Sequence, residues 1–97
     1  MSKGRRLNDR EFAETIGAQA LGFLAGEPQR FGRFLALTGV DLDEARADVG
    51  SPELLAAVLA HLASDESLLL TFAAETHIAP EDIAPALVLL QGHPSEG

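Results

Sequence analysis

Apolar residues recur along this chain at intervals of three and four, the period of a helix with one side against a core. The first such stripe runs through Ile16, Ala20, Phe23 and Leu24 and stops at Gly26. Asn8 followed by Glu11 predicts a capping box at its start, with Leu7 and Phe12 as the hydrophobic staple around it. Gly17 and Gly22 sit inside this helix, where each costs about 1 kcal/mol relative to Ala. Close approach of a neighbouring helix is the expected reason. Glu27-Pro28 opens a second helix, because the N–H that Pro lacks has no intrahelical partner at the first position. That helix is expected to bury Phe31, Phe34 and Leu35 and to end at Gly39.

Four more start signals follow. Asp41 with Glu44 predicts a second capping box and a short helix from Leu42 to about Asp48, closed by Gly50. Ser51-Pro52-Glu53 leads into LLAAVLAHLA, Ser64-Asp65-Glu66 into SLLLTFAAE, and Pro80-Glu81-Asp82 into a last helix ending near Leu90. Pro85 is awkward in a helix that starts at Pro80, since it would delete a hydrogen bond and clash with the preceding turn. Either the helix kinks there, or it begins near Ile83 with Asp82 as its cap. No alternation of period two lasts beyond a few residues, so no strand is expected. The predicted fold is all-α, a compact bundle of about five to six short helices. A single helical domain over 8–92 lies between a flexible basic tail, 1–7, and a flexible tail, 93–97.

The order of these segments resembles a known family. AQALGFLAGEPQRFGRFLALTGVDLDEARADVG (Ala18–Gly50) and PELLAAVLAHLASDESLLLTFAAE (Pro52–Glu75) carry the resemblance, which covers roughly residues 8–92. The family is an uncharacterised domain of unknown function found in short all-helical proteins of alphaproteobacteria. The resemblance implies a helical fold and brings no activity with it.

Composition changes the picture in three ways. With 46% hydrophobic residues among 97, the chain has the material for a core and is not of the disordered class. Cys is absent, which removes disulfides, thiolate metal sites and cysteine nucleophiles. All the aromatics are Phe, five of them, too few for a platform that stacks single-stranded nucleic acid. The net charge of -8 falls entirely in residues 47–97, which hold no Lys or Arg. Glu53, Asp65, Glu66, Glu81 and Asp82 all lie at expected helix starts, where the macrodipole favours a negative charge. That acidity therefore reads as helix punctuation and not as a recognition face. The N-terminal residues show no secretory pattern, and the longest apolar run, Ile83–Leu90, falls far short of the roughly 20 residues that span a bilayer. A cytoplasmic location without membrane association is expected.

Candidate chemistry is sparse. His61 with Asp65 and His77 with Glu81 are spaced by four, but Ser64 and Pro80 interrupt both intervals, and no paired-His motif is present. Both histidines are expected at helix C-termini as cations favoured by the dipole; His93 falls in the tail. Ser51 and Ser64 are expected to be caps, and Ser2 and Ser95 lie in the tails, so no held base stands beside a serine nucleophile. No cofactor or metal is expected, and the chain is not expected to be an enzyme. Arg30 and Arg33 share a helical face and, with the arm Lys3, Arg5 and Arg6, form a candidate basic patch for phosphates. The competing expectation is that these guanidinium groups pair with acids of the C-terminal half.

The apolar surplus points further. Leu54–Ala63 contains one polar side chain, His61; Leu68–Ala74 contains one, Thr71; Ile83–Leu90 contains none. Helices apolar all round are normally buried on every side, and a domain of this size encloses about one of them. If the last helix folds back onto the Leu68–Ala74 helix, Ala86, Val88 and Leu89 are left as a candidate surface for a protein partner or a homodimer. The expected function is that of a helical binding or regulatory module. A nucleic-acid-associated accessory protein and a minimal enzyme with an unrecognised site are the alternatives.

Overall fold

A computed structural model of the chain describes residues 9–47 and 49–91. Six α-helices make up these residues, with one 3-10 turn and, among the described residues, no strand. In chain order they are α1 (Asp9–Ala25), α2 (Pro28–Thr38), α3 (Leu42–Ala47), α4 (Pro52–Ala63), α5 (Glu66–Thr76), the 3-10 turn Pro80–Asp82, and α6 (Ile83–Gln91). Among the described residues no single helix is long and apolar enough to cross a membrane.

Side-chain oxygens set several starts. Ser51 Oγ accepts from the Leu54 N–H at 3.1 Å, and Asp65 Oδ1 accepts from the Leu68 N–H at 3.1 Å. Asp41 Oδ2 takes the Asp43 N–H at 3.1 Å, one of the donors left over at the start of α3. Ser64 is not a start cap. Its hydroxyl donates to the His61 carbonyl at 2.8 Å and closes α4, while the neighbouring carboxylate, with its longer reach, opens α5. Gly39 ends α2 in the left-handed region at φ 78°, and its N–H donates to the Leu35 carbonyl. Leu7 and Asn8, the expected staple and cap of α1, and Asp48 at the expected end of α3 lie outside the described residues. Phe12, the other half of that staple, is exposed. The difficulty at Pro85 is resolved by a change of helix type: the turn Pro80–Asp82 is 3-10, and α6 begins at Ile83. Pro85 is then the third residue of α6, where a helix still lacks an N–H partner, so nothing is lost.

The core is a three-helix layer of α1, α4 and α6, with α2 and α5 leaning on its sides. Central α4 buries Leu54, Leu55, Val58, Leu59, His61 and Leu62. Facing it, α1 presents Ala13, Ile16, Gly17, Ala20 and Leu24, and α6 presents Ile83, Ala86 and Leu90. The last helix therefore does not fold back onto α5 as the sequence suggested. Its narrow stripe matches the small-residue face of α1 and the leucines of α4, whereas α5 buries only Phe72.

Gly17 is where α1 and α4 come closest. A Cβ added there would lie 2.9 Å from Leu55 Cβ, closer than real side-chain atoms approach. Gly17→Ala should therefore destabilise the fold by about 1–3 kcal/mol through overpacking, against its helix-propensity gain. Gly22 does not follow the same logic, because nothing stands within 4 Å of its would-be Cβ. Gly22→Ala should stabilise by up to about 1 kcal/mol. Urea midpoints shifted in opposite directions check the pair; a shared direction refutes the close approach at Gly17.

Candidate functional site

The structure divides the expected partner surface. Ala86 is only 1% exposed, wedged among α1 and α4, and is core. Its place at the apex of the buried Ile83–Ala86–Leu90 stripe follows from the shift of α6 away from α5. Val88 and Leu89 do face outward, at 65% and 37% exposure. They do not stand alone. Ala84 and Pro85 are also exposed, and spacings of four put Ala84 over Val88 and Pro85 over Leu89 on one side of α6. With no charged residue anywhere from Ile83 to Gln91, this outer face is an uncharged apolar strip. Elsewhere Leu70 on α5, Leu37 on α2 and Phe12 on α1 are exposed large apolar residues.

Arg30 and Arg33 part company. The Arg30 guanidinium lies 4.3 Å from the centre of the Phe23 ring, a cation–π contact that ties α2 to α1. Phe23 in turn meets the ring of Phe72 edge-on at 5.3 Å, so α2, α1 and α5 are joined in one stack. Arg33 is exposed. The expected pairing of these arginines with acids of the C-terminal half is not seen among the described residues. There the recorded ion pair is Arg10 with Glu14 at 3.6 Å, one turn apart on α1. The reason is geometric: Arg30 is drawn onto the aromatic face of Phe23, which its long stem reaches without leaving the helix pair. The basic arm Lys3, Arg5 and Arg6 lies outside the described residues, as do His93, Ser2 and Ser95.

His61 departs from expectation most. It stands in the last turn of α4, yet it is buried, and its ring meets Phe34 edge-on with centroids 5.4 Å apart. Its Nε2 has no hydrogen-bond partner among the described residues. Burial holds its pKa below the usual 6.5; Asp65 opposes that shift and Arg33 adds to it. Burial therefore disfavours the charged form that a helix C-terminus was expected to favour here. The sequence carried a signal for this, since His61 is the one polar side chain in Leu54–Ala63. His77, the other histidine expected at a helix C-terminus, is exposed and caps α5 at φ 63°.

A pH dependence follows. The unfolded chain takes up a proton on His61 near pH 6.5, while the folded chain resists it. The stability contribution is fully present above that pH and is lost as pH falls through the lower folded-state value. His61→Phe should remove this slope between about pH 6.5 and 5, before carboxylates titrate. Denaturant midpoints of both proteins across that range test it; parallel curves overturn the assignment.

Other polar groups have structural work. The Ser51 and Ser64 hydroxyls serve helix ends, and Thr38, Thr71 and Thr76 donate to carbonyls one turn back. Ser67, which the sequence reading passed over, is an exposed residue of α5's first turn. Among the described residues no three His, Asp or Glu side chains converge as metal ligands would.

Residues 10–93 match the model of a family described as "Protein of unknown function (DUF3572)". No curated protein and no solved structure matches the chain.

Proposed function

The chain belongs to the DUF3572 family, whose description assigns no activity, and on that premise we propose that it is a binding module without chemistry of its own, docking another protein chain through the outer face of α6. The observation that carries this reading is the uncharged strip Ala84, Pro85, Val88 and Leu89, exposed on a helix whose opposite side is locked into the core. Val88 at 65% exposure leaves apolar surface in water with no charge beside it on its helix. Covering such a side chain gains about 25 cal/mol for each Å² removed from water. At nine residues, α6 is about 13 Å long, so alone it supplies only part of the roughly 800 Å² per partner of a stable interface. The association is accordingly of the weak, reversible class. A second copy meeting the same face in a two-fold arrangement is the simplest occupant, because each strip is then complementary to its own twin.

Val88→Asp tests this. The residue is exposed in the single chain, so the variant should keep its helicity, and its stability should stay within about 0.5 kcal/mol of wild type. Light scattering across a concentration series should show wild type rising from monomer toward dimer and the variant staying monomeric. Equal masses for both at every concentration would sink the homodimer and leave only a different partner chain for the same face.

A further inference from the structure

We propose that the groove walled by α1, α2 and α3 binds a small apolar ligand with one anionic end, of the class of free medium-chain carboxylates. The groove is open to solvent and has a volume of about 470 Å³, within the range of small-molecule sites. Leu21 and Ala25 of α1, Phe31 of α2, and Leu42 and Val49 at the two ends of the α3 segment give it apolar walls. Leu42 and Val49 remain 40% and 54% exposed, so its outer wall is wet when the groove is empty.

Charge decides the occupant. Among the described residues that line the groove, Arg46 is the one that carries a charge. Glu44 of α3 lines a separate cleft beside Ser51 and Glu53. One six-residue helix thus presents a cation to the apolar groove and a carboxylate to the neighbouring cleft. Arg46 is an exposed residue of that lining, and a guanidinium fork matches the geometry of a carboxylate. Ala45 is the only buried residue of α3, so the wall is lightly attached and can adjust to the chain it covers.

Decanoate and decan-1-ol are the probes, followed by amide shifts in two-dimensional NMR spectra. Decanoate should bind saturably, one per chain, with the largest shifts at Leu21, Leu42 and Val49. Arg46→Gln should weaken decanoate by about five- to tenfold, the loss expected for one exposed charge-assisted contact, and leave decan-1-ol unchanged. Leu42→Asp, at an exposed position, should weaken both. Equal losses for acid and alcohol in Arg46→Gln overturn the anionic end. Shifts that fall on α6, that never saturate, or that appear only with phosphatidylglycerol vesicles overturn the site. None of these outcomes depends on Val88 or Leu89, so the groove and the α6 face fail or stand separately.

Discussion

Phe34→Ala should lower the stability of the fold by about 3–5 kcal/mol, enough to unfold much of a marginal domain of this size. Phe34 is 0% exposed and is the only buried residue of α2. Truncation leaves a ring-sized hole at the α2–α4 contact, where backbone helices cannot collapse inward without separating elsewhere. A second effect distinguishes this from a general loss of packing. The Phe34 ring covers His61 edge-on at 5.4 Å, and Phe31 stacks behind it at 6.1 Å. Removing the ring admits water to the imidazole, so the His61 pKa should move back up toward 6.5. The variant should therefore be less stable and less sensitive to mild acid. Phe31→Ala, at a half-buried ring, should cost less and leave the His61 titration nearly in place. A Phe34 variant that melts with wild type would make α2 a free surface helix.

Helix boundaries were legible in the sequence because caps act locally. Ser51, Asp65, Pro28 and Gly39 each satisfy or spare backbone groups within one turn, and their neighbours in sequence determine the outcome. Helix partners were not legible to the same degree. The apolar runs of α4, α5 and α6 look alike in composition, yet α4 buries six side chains and α5 buries one. What separates them lies elsewhere in the chain, in the small residues Ala13, Gly17 and Ala20 that let α1 approach α4 and α6. A stripe is a property of one helix, but its choice of partner is a property of two.

The candidate site shows the same division. Val88 and Leu89 were recognisable as a surplus, since an uncharged helix must expose something in a domain with so little interior. Ala86 was not separable from them, because which third of α6 is hidden depends on the pairing with α1. Arg30 was visible as a base but not as the lid on Phe23, a contact between residues seven apart on two different helices. The groove at Arg46 was missed altogether. Its only signal was that Leu42 and Val49, both large and apolar, flank a segment otherwise rich in charge.

Phe72→Ala should also cost about 3–5 kcal/mol, but with a different spatial signature. Phe72 is 0% exposed and is the one residue α5 buries fully, while Leu70 on the same helix is 50% exposed. Leu68 and Leu69 pack only partly against the core. The helix is thus pinned by a single ring, which meets Phe23 edge-on at 5.3 Å, with Arg30 over Phe23 at 4.3 Å. Loss of the pin removes both the buried area and the aromatic contact, the latter worth about 0.5–1.5 kcal/mol beyond burial. It leaves the α1–α4–α6 layer without a missing side chain, because none of those helices contributes Phe72. Hydrogen exchange should then show α5 amides from Leu69 to Thr76 losing protection first, at free energies below that of global unfolding. Amides of Val58, Leu59 and Ile83 should keep exchanging only through the global route. Leu70→Ala, at an exposed position of the same helix, should change stability by no more than about 0.5 kcal/mol. Uniform loss of protection across α1, α4 and α5 in Phe72→Ala would instead make α5 part of the cooperative core, and the layer would not be the unit that holds the fold.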